Sequence, residues 1–295
     1  MKKKYILVCN QNTSNKKKLD LIVKLKNLIK KENYIEIFYS NSLKEADEIF
    51  CSLKSKDFDY LVIVGGDGSF NFAVNKIIQY KLNDKILAYI PAGTANILKY
   101  EAKIPDKLNS IYDFLIGNKI KKINLTQINN SYFFLMASIG FDSKIVESVD
   151  TSIKKYLGKI IFFFKGLQSF LFLKSNKMEI EINDEKIMAD WILCTNSRFY
   201  AGPYSITKET NIFENKIITY IVKDLTRANL IYFIWLVLTK GDLAPAKSVI
   251  KRELHQLKIN SVDNKLLHQI DGENCGYSNK LEIKKTEIFI NLLVP

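Results

Sequence analysis

Two small, polar loops and one acidic turn are the places where this chain could do chemistry. Gly65-Gly66-Asp67-Gly68-Ser69 gathers three glycines, an acid and a hydroxyl. Glycine lets the backbone turn sharply and approach a ligand with no Cβ in the way. Pro91-Ala-Gly-Thr-Ala-Asn96 is a second such loop, in which Thr94 offers a hydroxyl and an N–H. A glycine loop that opens a helix presents bare N–H groups and a positive helix end, which suits an anion such as phosphate. Asp67 lies inside the first loop, where its charge beside phosphates is tolerable only with a cation present. On that reasoning Asp67→Asn is expected to abolish the chemistry of this loop with little loss of stability. Asp271-Gly272-Glu273 joins two acids through a glycine. Turn chemistry alone reads it as a β-turn with an acid pair, and Gly272 would let the turn aim Glu273 into a cleft.

The elements around these loops are legible. Leu61–Val64 is a continuous apolar run bounded by glycines, which reads as a strand buried on both faces in a parallel sheet. Ser69 is placed to cap a helix from Phe70 to Tyr80, with apolar residues at Phe70, Ala73, Val74, Ile77 and Ile78. Ile86–Ile90 is another short apolar run ahead of the second loop. Loops at the ends of successive strands lie side by side on one sheet edge, where open α/β sheets bind ligands. The polar stretch Asn10 to Ser14, after a first strand at Tyr5–Asn10, closes the same edge. No Gly-Lys-Ser/Thr follows the glycines, so this is not a Walker A loop, and it is not a dinucleotide G-x-G-x-x-G fingerprint.

Strand and helix alternate through about Lys121. Leu19 to Lys31 is amphipathic, Tyr34–Tyr39 is a strand, Ser42-Leu-Lys-Glu45 is a capping box opening a helix to about Ser55, and Asp106–Ile116 is a helix stopped by Gly117. Residues 1–121 therefore read as a doubly wound parallel α/β domain. The rhythm then changes. Lys122–Ile128 and Tyr132–Ser138 flank Asn129-Asn130, and Met178–Ile182 and Ile187–Thr195 flank Asn-Asp-Glu, two hairpins. Further strands are expected at Lys216–Val222, Leu254–Asn260, Leu266–Ile270 and Lys280–Lys284. Residues 122–284 read as an antiparallel β-sandwich domain with inserted helices at Asp142–Val149, Lys154–Lys174 and Thr226–Thr239.

The 295 residues are 47% hydrophobic and 25% charged, an ordinary soluble composition. Net charge is +13, carried by 41 lysines and 3 arginines, a habit spread over the whole surface. Nucleic acid is not the expected partner. A cationic surface instead helps a protein visit anionic lipid, at about 1 kcal/mol per well-placed lysine. No signal peptide is expected, and the longest apolar run, Leu230–Leu238, is too short to span a bilayer. Cys9, Cys51, Cys194 and Cys275 are far apart, which fits reduced thiols in a cytoplasm. His255 and His268, expected on strands, supply too little material for a zinc cluster or a Ser-His-Asp triad. The protein is expected to be cytoplasmic and peripheral at the inner membrane surface. A homodimer is compatible with everything above.

GGDGS with Asn75, followed by PAGTAN, resembles the diacylglycerol kinase catalytic domain family, which includes bacterial soluble lipid kinases, sphingosine kinases and ceramide kinases, and is related more distantly to NAD kinases. Ser138-Ile-Gly-Phe-Asp142, Tyr156-Leu-Gly158 with its aromatic helix, Asn196 to Gly202 and Ile270-Asp-Gly-Glu273 follow in the family's order. The resemblance implies ATP and Mg²⁺, with ATP contacted by Asn10, Ser14, Ser40, Gly65, Gly66, Asp67, Gly68, Ser69, Thr94 and Asn96. It makes Glu273 the proton acceptor and Asp271 its needed neighbour, with Asp67 competing for the base role. It implies that Glu287–Val294, within residues 285–295, returns to the first domain. The first loop departs from the family's Asn-Pro-x-Ser-Gly, Ser69 stands for the usual Thr, and Glu214-Asn215 stands for a metal-binding Asp-Gly. A structural metal would then rest on Glu214 or on carbonyls of Asn211 and Lys216. Asp142 would tune the metal network or act as an exposed helix N-cap.

The function implied is phosphorylation of diacylglycerol or a similar lipid alcohol in an interdomain cleft, a step of phospholipid biosynthesis. The alternatives are a NAD kinase-like enzyme and a catalytically weak nucleotide-binding regulatory module. The aromatic stretch Ile160–Leu173 and the Leu230–Leu238 run are candidates to face lipid, although core packing is the commoner use of such stripes.

Overall fold

The computed structural model describes residues 2–11, 16–148, 177–262 and 264–295. Ser14, the Tyr156–Gly158 motif, the expected Lys154–Lys174 helix and the Ile160–Leu173 stretch lie outside the described residues. The chain divides into two compact units, Met1–Ile123 with Ile288–Pro295, and Asn124–Glu287.

In the first unit, strands β1 (Lys4–Asn10), β2 (Tyr34–Ser40), β3 (Tyr60–Gly65) and β4 (Ile86–Pro91) alternate with helices α1 (Lys16–Ile29), α2 (Leu43–Ser52), α3 (Asp67–Gln79), α4 (Ile97–Ala102) and α5 (Leu108–Ile116). The strands are parallel in the order β2-β1-β3-β4. Every residue of β3 is buried, as its unbroken apolar run requires. The Ser42 half of the capping box forms as read, and Glu45 reaches one residue further back than the cap. The Ser42 hydroxyl accepts from the Glu45 N–H at 3.1 Å, and the Glu45 carboxylate accepts from the Asn41 N–H at 2.8 Å. The end of a long last strand, β18 (Lys280–Leu293), lies parallel to β4 with Asn291 opposite Ile86.

In the second unit, a six-stranded antiparallel sheet runs β14 (Val249–Glu253), β13 (Ile218–Val222), β10 (Trp191–Thr195), β7 (Met136–Ile139), β16 (Leu266–Ile270), β17 (Glu273–Ser278). Facing it, the first part of β18 pairs with β15 (Gln256–Ser261), which pairs with β8 (Met178–Ile182) and β9 (Glu185–Ala189). Also in this layer, β5 (Ile120–Ile128) pairs with β18 and with β6 (Ser131–Phe133). Ile139, Ile192, Ile221 and Ile270 from one sheet and Ile180, Leu257, Ile259 and Ile283 from the other share a single buried cluster, the core of a sandwich. A two-stranded ribbon, β11 (Phe199–Tyr200) with β12 (Tyr204–Ser205), and helices α6 (Phe141–Ser148) and α7 (Arg227–Thr239) complete the described part. The expected fold class, a parallel α/β domain followed by an antiparallel β-sandwich domain with helices, is observed.

The hairpin at Asn183-Asp184 turns through two left-handed residues, φ +47° and +66°, the type I′ geometry that Asn and Asp tolerate. Two expected strands are broken. Ile187–Thr195 divides at Asp190 into β9 and β10, which belong to different sheets. The buried Asp190 carboxylate accepts from the Leu225 N–H at 2.9 Å and pairs with Lys177 at 3.0 Å, pinning the crossing point. Tyr132–Ser138 divides at Phe134-Leu135, whose N–H groups are taken by a side chain instead of a neighbouring strand. His255 sits on the bend between β14 and β15, whereas His268 is on β16.

Candidate active site

The registers place Ser40 opposite Asn10, Val64 opposite Cys9, and Pro91 opposite Gly65. The carboxyl ends of β2, β1, β3 and β4 are therefore level. The chain passes from β1 to β2 on one side and then to β3 on the other, so the edge between β1 and β3 is a topological switch point, where an open α/β sheet leaves a crevice. The Asn10 amide donates to the Ser69 hydroxyl at 3.0 Å, bridging the first and third strands' loops. Ser40 is buried, and its carbonyl accepts from the Gln11 N–H at 3.0 Å.

The glycines do more than permit a turn. A Cβ on Gly93 would lie 2.5 Å from the Gly66 Cα and 2.9 Å from the Asn96 Oδ1, and one on Gly65 would lie 2.5 Å from the Ser69 Cβ. The two loops thus pack backbone against backbone, which only glycine allows. Helix α3 begins at Asp67 with Gly66 as its N-cap, so Ser69 is in the first turn and is not the cap. Its hydroxyl is directed to Asn10 instead.

Asp67 fastens the second loop. Its buried carboxylate accepts from the Ile97 N–H at 2.8 Å and the Leu98 N–H at 3.1 Å, satisfying two of the free donors at the start of α4. Asn96 does the rest from a left-handed backbone, φ +49°. Its amide accepts from the Gly93 N–H at 3.0 Å and the Tyr89 hydroxyl at 2.9 Å, and donates to the Gly93 carbonyl at 2.8 Å. Burial pushes the Tyr89 phenol well above its ordinary pKa, with the Asp67 charge adding to the effect, so it stays a donor. Asp67 and Asn96 thus hold the loops, while Thr94, half-buried between them, carries a hydroxyl at their surface.

In the second unit, Asp271 and Gly272 form the turn between β16 and β17, with φ +47° and +83°. This is a type I′ hairpin turn. The Asp271 carboxylate is buried and accepts three backbone N–H groups, from Phe134, Leu135 and Met136, at 3.2, 3.0 and 2.8 Å. Asp271 is therefore an anchor. Glu273, next after the glycine, is exposed. A Cβ on Gly272 would meet nothing within 4 Å, so the turn faces open space.

The residues expected to hold a structural metal form a closed turn. The Glu214 carboxylate accepts from the Asn211 amide, the Asn211 carbonyl accepts from the Glu214 N–H at 2.9 Å, and the Lys216 carbonyl accepts from Thr210 at 2.8 Å. The Lys216 ammonium pairs with Glu253 at 3.2 Å. Each of these oxygens already accepts from a protein donor. Among the described residues, no three His, Cys, Asp or Glu side chains come together in a way that could hold a metal ion.

Asp142 is neither exposed nor a simple cap. It is buried among Ser138, Trp191 and Tyr200. The Trp191 Nε1 donates to its Oδ1 at 3.0 Å, the Tyr200 hydroxyl to its Oδ2 at 3.1 Å, and the Ser138 hydroxyl also donates to Oδ1. Burial raises its pKa above the ordinary carboxylate value, with these donors opposing the shift. The Ser138-Ile-Gly-Phe-Asp142 motif brings two of these residues together, but nothing local in sequence points to Trp191 or Tyr200.

Residues 4–128 match the profile of the Diacylglycerol kinase catalytic domain. The chain is 26% identical over 228 residues to a diacylglycerol kinase of Bacillus subtilis (strain 168), covering 75% of this chain and 73% of that one. It is 25% identical over 236 residues to a diacylglycerol kinase of Staphylococcus haemolyticus (strain JCSC1435), covering 78% and 70%. A solved structure described as a diacylglycerol kinase from Bacillus anthracis str. Sterne superposes with a TM-score of 0.77 at 17% identity, over 99% of this chain and 97% of that one. These matches bear out the resemblance read from the sequence, to the diacylglycerol kinase catalytic domain and to enzymes of the diacylglycerol kinase-like lipid kinase class.

Proposed function

We propose that this protein transfers the γ-phosphoryl group of ATP to the hydroxyl of diacylglycerol or a similar lipid alcohol. The observation that carries the reading is the pair of glycine loops locked together at the switch point of the parallel sheet, within the residues that match the catalytic domain. Phosphoryl transfer asks a protein for positioning and charge stabilisation more than covalent chemistry. The N–H groups of Gly66 to Ser69 open α3 and would receive phosphate oxygens, helped by the positive helix end. Thr94 and the Asn10–Ser69 pair would line the same edge, with Ser40 beside them. Asp67 and Asn96 keep the two loops in register with one another. Glu273 would accept the proton of the lipid hydroxyl as it attacks, and Asp271 holds the hairpin that presents it. Mg²⁺, arriving with the nucleotide, would neutralise the charge developing on the phosphates. The reading includes reversible contact with an anionic membrane, where the lipid acceptor resides.

Transfer of label from γ-labelled ATP tests this against a panel of lipid alcohols and NAD. Labelled lipid phosphate from diacylglycerol, with NAD unlabelled, is the expected outcome. Labelled NADP would make the protein a NAD kinase. ATP binding without transfer to any acceptor would leave a regulatory module.

A further inference from the structure

Helix α7 is apolar all round, and only one side of it is used by the fold. Leu230, Phe233 and Leu236 are buried, with Phe233 packed on Trp191 at 6.3 Å between ring centroids. Ile231, Ile234, Trp235 and Leu238 are 59%, 58%, 49% and 62% exposed, and Tyr232 is 40% exposed. Tyr232 and Trp235 stack on one another at 5.7 Å. At 100° per residue these five side chains cover roughly 160° of the helix circumference. An outward cluster of this kind marks an interaction surface.

We propose that this outward face of α7 docks the protein on an anionic lipid bilayer, lying flat in the headgroup region. Three observations favour a bilayer over another protein. The apolar arc is broad, as an interfacial helix requires, and is wider than the narrow seam that pairs two helices. Trp and Tyr, each an apolar body with a polar tip, are the residues that settle at membrane interfaces. The charges around the face are complementary to anionic headgroups. Arg227 and Lys240 flank the helix ends, and Lys223 and Lys247 lie just beyond, all exposed. From Lys223 to Lys247 the acids are Asp224 and Asp242, and lysines answer both, Lys177 at 3.9 Å and Lys251 at 2.9 Å. A second copy of the chain would bring another +13 to the same place. The helix has 13 residues, about 20 Å, so it can lie on a bilayer but cannot span one. The proposal rests on the lipid kinase reading for its purpose, but its evidence is the exposed face itself.

The test reads docking apart from turnover. The full chain is mixed with vesicles of phosphatidylglycerol and phosphatidylcholine, or of phosphatidylcholine alone, and followed by tryptophan emission and sedimentation. The chain has two tryptophans, and Trp191 is buried, so a blue shift and protection from acrylamide report Trp235. Both are expected with the anionic vesicles. Ile231→Asn with Trp235→Gln should cut vesicle binding at least about tenfold with the melting temperature unchanged. Ile234→Asn alone, with Trp235 retained, should reduce the blue shift if the double variant proves unstable. Sedimentation of the wild type with no change at Trp235, or no binding to anionic vesicles, would overturn the proposal. So would a solution dimer that the same substitutions dissociate, since a second copy would then cover the face. Transfer of phosphate to a water-soluble short-chain diacylglycerol by the wild type reports the kinase reading separately. Its absence alongside a Trp235 shift would refute the enzyme and leave the surface standing.

Discussion

Replacing Asp67 by Asn should destabilise the first unit, against the small loss of stability that a purely catalytic acid would give. The carboxylate offers one oxygen to the Ile97 N–H and the other to the Leu98 N–H, and it is buried. An asparagine keeps one acceptor and turns an amide N–H₂ toward the second donor. A hydrogen bond to a charged acceptor contributes about 1.5–3 kcal/mol, and a negative charge at a helix start adds about 0.3–1 kcal/mol. Losing one bond and the charge should therefore cost about 2–4 kcal/mol. If local opening dominates exchange, the Ile97 and Leu98 amides should lose protection by about 30- to 1000-fold. Amide hydrogen exchange on the full chain reads this directly. Tryptophan fluorescence would miss it, because Trp191 and Trp235 both lie in the second unit. Transfer activity should fall as well, because the second loop loses its fastening. Unchanged protection at both amides with transfer abolished would refute the reasoning and return Asp67 to the role of a catalytic or metal-binding group.

Gly93→Ala should cost about 1–3 kcal/mol and weaken ATP binding, because its Cβ would fall 2.5 Å from the Gly66 Cα. Urea unfolding followed by far-ultraviolet circular dichroism, with calorimetric ATP titration, checks both. Asp142→Asn should keep or raise stability at neutral pH. Burial raises the folded-state pKa of Asp142 above 3.8, so the folded state holds its proton more tightly than the unfolded chain does. Stability from this group is full below that value and is lost as pH rises through the raised one. Urea midpoints from pH 4 to pH 8 should show that loss in the wild type and not in the variant, and a large loss for the variant at neutral pH would contradict it.

Much of the site was legible because its signals are local. The Leu61–Val64 run and its glycines identified a buried strand and the loop at its end. Asp271-Gly272 carried the turn chemistry that the structure shows as a type I′ hairpin. What escaped depends on partners far away in the chain. Gly93 can be read as a flexible loop residue, but its contact is Gly66, on another strand's loop. Asp271 looked like part of an acidic pair, whereas its carboxylate is spent on the N–H groups of Phe134 to Met136. The same N–H groups interrupt the strand expected across Tyr132–Ser138. For Asp142 an exposed N-cap stayed open as one of two readings because Trp191 and Tyr200, which bury it, come some fifty residues later. The stretch from Ile187 to Thr195 is broken in sequence only by Asp190, and the tertiary grip on that residue shows that two sheets share it.

The central claim is a division of labour in which the first unit binds the nucleotide and Glu273 takes the proton from the acceptor. Glu273→Gln tests it most directly, through turnover at saturating ATP and diacylglycerol measured beside ATP affinity by calorimetry. Glu273 is exposed at a hairpin turn, so the substitution should leave stability unchanged. Gln keeps the shape and loses the proton affinity, and a general base contributes about 10²–10⁴-fold. The account predicts a kcat lower by that factor with ATP affinity unchanged. A collapse of ATP affinity with the residual rate at saturation intact would contradict it, making Glu273 a nucleotide ligand and sending the search for the base back to Asp67.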